Sequence, residues 1–465
     1  MTVWDYNITI GEFALDFAFL STFLIFGFLC RRYISFFQKF LIPSPLIAGF
    51  AGLLIGPEIL SWLSYDTERM AVYIYHLLAL TFIGIGLQGG GEKRSRGAMH
   101  VGFMFIMSYL LQITIGLGVC LFIVYLINPD LVPAVGMLLP LGFGMGPGIA
   151  YSIGQSWSNY GFVEGASAGL TIAAVGFLVA YFSGMVIVNR GLKRGKSSLL
   201  DGSIALSKSI RTGVIEEEPL PEAGRLRFFG GAIEPLAFHL ALIGFLYLLT
   251  YGVTLGIELL MRAGGIEKEI ATLWGFHFIV ANLLALGCRK LMNRFKAGYL
   301  VDYGLMNRLT GTLTDFMITA AIMAISLSVA WDYLVPILVI CLLGAAVTCV
   351  AIRYTAYRTF DSLNFERFVG VYGEMTGNIS SGLALVRVMD PEFKTPVAQD
   401  LGLGSGVALL LGFPLLIVIN LPFTQFDGAL VGYWIVLGIC WIYMLIIFLL
   451  WKRFGLKRHK TVADS

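Results

Sequence analysis

Two glycine-rich stretches contain most of the residues whose types and spacing could do chemistry. The first, 142–148, reads G-F-G-M-G-P-G and includes Gly144, Gly146 and Gly148. Glycine permits positive φ and lets the backbone approach a ligand closely. A helix that restarts after such a break presents free N–H groups and the positive end of its dipole, which favours a carboxylate. We therefore expect these glycines, with Gln155 further along, to bind an anionic substrate. The alternative is a G-x-x-x-G-type face for packing between helices.

The second stretch, 373–383, reads G-E-M-T-G-N-I-S-S-G-L and is richer in polar side chains. Ser380 and Ser381 are candidate substrate contacts. Thr376 and Asn378 supply neutral oxygen atoms of the kind that bind hard cations such as Na⁺. The alternative for such side chains is hydrogen bonding between helices, which is common in membrane proteins. Both interpretations remain open at the level of sequence.

Three charged residues stand in or beside apolar runs, where a charge is costly unless it is paired or faces water. Arg387 follows L-A-L-V, and its guanidinium suits a substrate carboxylate. The alternative is an ion pair with Asp390, three residues later. Asp315 and Glu374 are candidate Na⁺ ligands, and a protonatable Glu374 would instead permit H⁺ coupling. The alternative for Asp315 is a helix N-terminal acid, which the helix dipole favours.

The elements that must position these residues are membrane spans. Of the 465 residues, 57% are apolar and 13% are charged, against roughly 25% charged residues in soluble proteins. The mean hydropathy is +0.82. A span needs about 20 apolar residues. Eleven runs are predicted to be spans: 12–30, 41–60, 71–90, 99–127, 162–189, 235–260, 271–288, 309–330, 333–352, 401–421 and 429–450.

The distribution of Lys and Arg predicts the orientation, because cytoplasmic loops collect them. Most of the 32 Lys and Arg residues fall in loops on one side of an eleven-span arrangement. The N-terminus is then outside and the C-terminus cytoplasmic. Regions 131–161 and 366–398 are too polar for ordinary spans and too apolar for ordinary loops. We predict that they are re-entrant hairpins, which this topology inserts from opposite sides.

The predicted fold class is an all-α polytopic membrane protein with two inverted five-span repeats, each with a re-entrant hairpin, plus one extra C-terminal span. Residues 1–189 form the N-terminal repeat, 190–234 a cytoplasmic linker and 235–421 the C-terminal repeat. Residues 422–465 add the eleventh span and a basic cytoplasmic tail. A matched pair of glycine breaks in two such halves is typical of a transporter's binding site.

Four motifs resemble the bacterial glutamate:sodium symporter family. They are I-P-S-P at 42–45, G-F-G-M-G-P-G at 142–148, Y-G-F-V-E-G at 160–165 and T-G-N-I-S-S-G-L-A-L-V-R-V-M-D-P at 376–391. The resemblance implies a ten-span core of two inverted repeats, sodium-coupled uptake, a homodimer and an elevator-type motion of the hairpin domain. The chain departs from the family by having no histidine in the first motif and by carrying Glu374 where the family has one. The eleventh span is also additional.

The predicted function is Na⁺-coupled uptake of glutamate or a related anion by a secondary active transporter of the cell's inner membrane. The alternative is an H⁺- or Na⁺-coupled carrier of another organic anion, such as a di- or hydroxycarboxylate. The chain has no Walker A pattern, which argues against a nucleotide-driven pump. It shows neither a nucleophile with a base nor a His-x-x-x-His pattern, so we do not expect an enzyme. We expect Na⁺ as coupling ion, and as partners the small anionic substrate, the lipid bilayer and a second copy of the chain, but no nucleic acid.

Overall fold

The computed structural model describes residues 8–88, 96–197, 208–215, 222–225, 227–228, 231–391 and 393–454. This part of the chain is helical and contains no strand. Its α-helices in chain order are α1 (Ile10–Tyr33), α2 (Ser35–Phe40), α3 (Ser44–Ile55), α4 (Thr67–Gln88), α5 (Arg96–Leu126), α6 (Ala134–Phe143), α7 (Pro147–Trp157), α8 (Gly165–Lys193), α9 (Lys208–Thr212), α10 (Pro235–Ala263), α11 (Ile270–Gly275), α12 (His277–Arg294), α13 (Tyr303–Met323), α14 (Leu327–Asp332), α15 (Leu334–Thr359), α16 (Asn364–Thr376), α17 (Ile379–Arg387), α18 (Val397–Val418), α19 (Leu421–Thr424) and α20 (Leu430–Arg453).

Among the described residues, eight helices are long and apolar enough to cross a membrane. They are α1, α4, α5, α8, α10, α15, α20 and the stretch Val397–Thr424, which includes α18 and α19. A ninth is counted if Glu267–Gly275 and His277–Arg294, which bend by 62° where they meet, act as one span. The prediction of a polytopic, all-helical membrane protein is confirmed at this level.

Two of the eleven predicted spans take a different form. The run predicted at 41–60 contains the short helix α3, and the run predicted at 309–330 is shared between α13 and α14. Tyr65 lies between the C-terminal ends of α3 and α13. Its hydroxyl lies 3.2 Å from the carbonyl oxygens of both Gly52 and Met323. This buried side chain therefore links the ends of the two helices.

Both glycine-rich stretches break a helix, as predicted. The first tip, residues 144–146, separates α6 from α7, and the second tip, residues 377–378, separates α16 from α17. All of α6 and nearly all of α7 and α16 are buried. α6 packs on α5 through two glycines, because a Cβ on Gly116 would lie only 2.2 Å from the carbonyl oxygen of Gly136. Small residues allow this close backbone approach between helices in membranes.

The helices pack in two groups around these breaks. In one group α5 contacts α6, α15, α18 and α20, while α8 contacts α6, α7 and α16. In the other, α4 contacts α12 and α13, and α3 contacts α1 and α13. Helix α9 of the predicted linker lies against α1 and α2. The basic residues Lys93 and Arg94 and the predicted basic tail beyond 454 lie outside the described residues.

Candidate functional site

The first tip requires glycine at one position in particular. Gly146 is the N-cap of α7 and has φ +88°, a left-handed conformation that side chains with a Cβ rarely adopt. A Cβ placed on Gly146 would meet no atom within 4 Å, so this residue faces open space. Gly144 and Gly148, by contrast, are tightly packed, against Tyr109 and Leu78 respectively. The N-terminal end of α7 therefore opens towards a space beside Gly146.

The second tip is held by its own asparagine. The Asn378 side chain is the N-cap of α17 and accepts a hydrogen bond from the Ser381 N–H at 3.0 Å. Ser381 is buried, and its hydroxyl donates to the same Asn378 oxygen at 3.3 Å. Ser380 is exposed. Because the first N–H groups of a helix have no partner within it, Ile379 and Ser380 present free amides at the exposed side of this tip.

The two tips meet on α8. A Cβ on Gly176 would lie 2.6 Å from the carbonyl oxygen of Thr376 and 2.8 Å from the ring of Phe143. A Cβ on Gly144 would lie 3.3 Å from the Met375 methyl carbon. The last residues of α6 and α16 thus converge, and α7 and α17 both restart close to that point. The structure brings the predicted glycines and serines of the two stretches into one region of the protein.

A buried amide that we did not predict holds this region together. Gln112 of α5 is fully buried, and its Nε2 donates to Thr348 Oγ1 of α15 at 3.1 Å and to the Met375 carbonyl oxygen at 2.8 Å. Its Oε1 is buried and has no hydrogen-bond partner within the described part of the chain. The signal was available in the sequence, since Gln112 is a lone amide within an apolar span, and polar residues there are usually functional.

Exposed polar residues of α13 face exposed polar residues of α17 beside the second tip. Arg308, Thr312 and Asp315 are exposed on α13, and Ser380 and Arg387 are exposed on α17. The three α13 residues are four and three positions apart, and the two α17 residues are seven apart. These spacings are close to whole helical turns, so the residues of each helix lie on one of its faces. We call the space between these two faces the α13–α17 crevice.

Two independent electrostatic contacts cross this crevice at different depths. Arg387 and Arg308 interact electrostatically near its mouth. Deeper in, Tyr181 of α8 lies close to Ser381 and interacts electrostatically with Asp315. Tyr181 therefore lies between the predicted residues Ser381 and Asp315. Tyr181 was not predicted, because nothing in the sequence indicates which face of α8 it occupies.

Arg387 lies at the far end of α17 from the tip. Seven residues separate it from Ser380, which is about 10 Å along a helix. Its guanidinium stacks on the ring of Phe393, 4.7 Å from the centroid. The alternative ion pair with Asp390 is not formed, because Asp390 accepts hydrogen bonds from the backbone N–H groups of Lys394 and Thr395 instead. Arg387 thus lies at the mouth of the crevice, free of a carboxylate partner in the described residues.

The four residues predicted to hold Na⁺ have separate partners in this conformation. Glu374 is 3% exposed, and its Oε1 contacts Ser405 of α18. Thr376 donates its hydroxyl to the carbonyl oxygen of its own helix one turn earlier. Asn378 caps α17, and Asp315 lies across the crevice. In the described ranges no three His, Cys, Asp or Glu side chains group as metal ligands.

Gln155 lies away from the tips, in a cavity of about 670 Å³. We call it the Gln155 cavity. α7 places Gln155 nine residues after Gly146, or about 13 Å along the helix. Other residues that line the cavity include Tyr160, Lys268 and Trp274. Tyr160 donates its hydroxyl to the Lys268 carbonyl oxygen, and burial raises its pKa.

Helix α11 closes the Gln155 cavity off from the first tip. Ser152 of α7 donates a hydrogen bond to the Gly275 carbonyl oxygen at 2.8 Å, and Tyr75 of α4 donates to that of Trp274 at 2.8 Å. On this side α7 contacts α4, α11 and α13. Gln155 is therefore separated from the other predicted substrate residues by a packed layer.

Comparison with known proteins finds no protein-family model that matches this chain and no curated protein that matches it. What can be concluded is that the chain is a multi-pass membrane protein whose helices suit a membrane transporter in general.

Proposed function

We propose that this protein is a secondary active transporter that binds a small organic anion between the two tips. The observation that carries the proposal is that both glycine breaks converge on Gly176 of α8. Broken helices at membrane depth are tolerated where they are buried in protein or line a cavity. Two helix N-termini near one point favour an anion. The free amides of α17 and the open space beside Gly146 are where we place its carboxylate.

Helix-by-helix correspondence supports an arrangement of two inverted repeats. α1, α3, α4, α5, α6–α7 and α8 correspond in order to α10, α11–α12, α13, α15, α16–α17 and α18. Contacts repeat in the same way: α1 packs on α3 as α10 packs on α12, and α3 packs on α13 as α12 packs on α4. Under this proposal α6–α7 and α16–α17 are re-entrant hairpins, and α20 is the extra span. The N-terminus is outside, the C-terminus is cytoplasmic, and the membrane is the inner membrane.

The state captured is inward-open under this proposal. α7 is packed against α4, α11 and α13, whereas α17 packs mainly on α8, α16 and α18. The α13–α17 crevice therefore opens on the Arg-rich side that we place in the cytoplasm. Arg308 and Arg387 at its mouth attract an anion and disfavour a cationic substrate. An elevator-type motion would carry the hairpin group past α4 and α13, which we place at the homodimer core.

Na⁺ is the proposed coupling ion, with glutamate or a related anion as substrate. Oxygen atoms that support this choice lie at the second tip, on Thr376 and Asn378, and across the crevice on Asp315. Na⁺ prefers such oxygen ligands. Closure of α17 on α13 would bring Asn378 and Asp315 nearer to each other, so we expect the ion to bind as the crevice closes.

One observation favours H⁺ as the alternative. Ser405 Oγ lies 2.5 Å from Glu374 Oε1 and 3.0 Å from the Leu401 carbonyl oxygen. A serine hydroxyl carries one proton, and in helices it often donates this proton to the carbonyl one turn earlier. If Ser405 donates to Leu401, Glu374 is the protonated acid and donates to Ser405, whereas an ionised Glu374 would accept the Ser405 proton. Glu374 Oε2 is also buried without a hydrogen-bond partner among the described residues.

Uptake of labelled glutamate into proteoliposomes tests the proposal. We expect an imposed inward Na⁺ gradient to stimulate uptake, and unlabelled di- or hydroxycarboxylates to compete. Stimulation by a pH gradient alone would select the alternative. If neither gradient drives uptake of glutamate or of any competing anion, the transport proposal is wrong.

Glu374→Gln separates the two coupling ions, because glutamine imitates the neutral acid. Under H⁺ coupling this variant loses uptake driven by a pH gradient but retains exchange of labelled for unlabelled substrate. If Na⁺ is the coupling ion and the Glu374 proton plays no role, the Glu374→Gln variant responds to a pH gradient as the unmodified protein does. Ser405→Ala is the matched control, since it removes the hydrogen-bond partner and keeps the acid.

A further inference from the structure

A second cavity lies at the end of α15, away from both tips. Its volume is about 430 Å³, and it is lined by Lys196, Arg353, Tyr354, Tyr357 and Arg358. We call it the α15 cavity. Its three cations come from two segments, the residues after α8 and the last turns of α15. Within the described ranges no carboxylate lines the cavity and none of the three cations forms an ion pair.

Three positive charges around one concave surface repel each other, and an anion between them removes that repulsion. The Arg358 guanidinium lies 4.3 Å from the Tyr354 ring centroid, a cation–π contact that orients it. Glu366 acts electrostatically on Tyr357 from nearby. However, Glu366 accepts a hydrogen bond from Ser197 at 2.8 Å and does not line the cavity. The cavity is therefore suited to an anionic group that comes from outside the chain.

The surroundings favour a lipid over a soluble anion. The face of α15 that bears Arg353 continues towards the membrane interior as an apolar stripe. Val350 is 70% exposed, Val347 37% and Leu343 45%. Residues three or four positions apart lie on the same helix face. A phospholipid offers both parts that this surface needs, a phosphate for the cations and acyl chains for the stripe, whereas a free anion offers only the first.

We propose that the α15 cavity binds the phosphate group of an anionic phospholipid from the cytoplasmic leaflet. Basic pockets between transmembrane helices on the cytoplasmic side are suited to such headgroups. The site does not depend on the transported substrate. Lys196 directly precedes Ser197, which is bonded to Glu366 in the first turn of α16. The bound lipid would therefore join the end of α8 to α15 beside the base of the second glycine-broken helix pair.

Native mass spectrometry of the full chain in a neutral detergent tests the proposal. Phosphatidylglycerol and phosphatidylcholine are the two probes, and the bound lipids are counted over a titration. We expect tighter binding of phosphatidylglycerol. Arg353→Gln and Arg358→Gln should each weaken it about fivefold, because each cation near an anionic headgroup contributes comparably. Arg353→Lys keeps the charge and should retain most of the binding.

Arg294→Gln is the matched control, since Arg294 is an exposed arginine at the end of α12 and does not line the cavity. It should bind phosphatidylglycerol like the unmodified chain. Equal affinity for the two lipids, or equal losses in Arg294→Gln and Arg353→Gln, would overturn the proposal. Inorganic phosphate is added in excess as a further arm. If it displaces phosphatidylglycerol completely, the cavity is a site for soluble anions and the lipid assignment is wrong.

Discussion

Replacing Gly176 by alanine tests whether the two tips must meet on α8. The added Cβ would lie 2.6 Å from the carbonyl oxygen of Thr376. An ordinary contact begins near 3.4 Å, so the tip would have to retreat by about 0.8 Å, the difference of the two values. The obstacle is backbone, which cannot rotate away as a side chain can. Overpacking of this kind costs about 1–3 kcal/mol, which corresponds to roughly 5- to 150-fold in substrate affinity if it falls on the bound state.

The assay is exchange of labelled for unlabelled substrate in proteoliposomes, with the apparent substrate affinity as readout. Gly118→Ala on α5 is the control, because a Cβ there would meet no atom within 4 Å. Both substitutions replace a helical glycine by alanine, a change that by itself favours the helix by about 1 kcal/mol. The difference between the two variants therefore isolates the contact between α8 and the tips. Unchanged affinity and rate in Gly176→Ala would refute the reasoning.

Three further predictions follow from contacts in the same region. Ser380→Cys should react with a membrane-impermeant thiol reagent applied from the cytoplasmic side. Ser381→Cys should react much more slowly, because of these two serines only Ser380 is exposed. Equal reaction rates would contradict the crevice. Gln112→Ala leaves a buried hydroxyl and a buried carbonyl without their donor, so thermal unfolding in detergent should show a loss of about 1–3 kcal/mol; an unchanged midpoint would argue against the amide bridge. Asp400→Asn leaves the buried Arg367, 2.8 Å away, without its countercharge. This change should destabilise the protein by about 3–5 kcal/mol. Replacing both residues by apolar ones should largely restore the lost stability.

The long apolar runs were predictable because the signal is local. A stretch such as the one in α5 must be helical in a bilayer, where each backbone group needs an internal partner. The glycine breaks at 144–146 and 377–378 were predictable for the same reason, since glycine and proline act on their own backbone. The end of α3 was not predictable, because its last carbonyl oxygens accept hydrogen bonds from backbone N–H groups beyond the helix, as that of Ile55 does from Trp62 and Leu63.

The residue types that line this region were visible in the sequence, but their arrangement was not. The residues of the second tip lie near the first tip, and Asp315 lies across the crevice from them. The partners of Gln112 were not predictable, because its two acceptors lie on other helices, 236 and 263 residues away along the chain. Arg387 was expected beside the substrate but lies at the mouth of the crevice. The length and direction of α17 place it there, at the end of the helix away from the second tip.

The sequence by itself determined that this is a multi-pass helical membrane protein with two broken helix pairs, because composition, hydropathy and glycine act over a few neighbouring residues. Only the tertiary structure decided which side chains face one another. It joined Gln112 to the second tip, placed Ser405 beside Glu374 and set Arg308 opposite Arg387. The physical reason is that a helix fixes the spacing of its side chains along one axis, whereas the rotation of that helix and the neighbour it meets are settled by packing over the whole molecule.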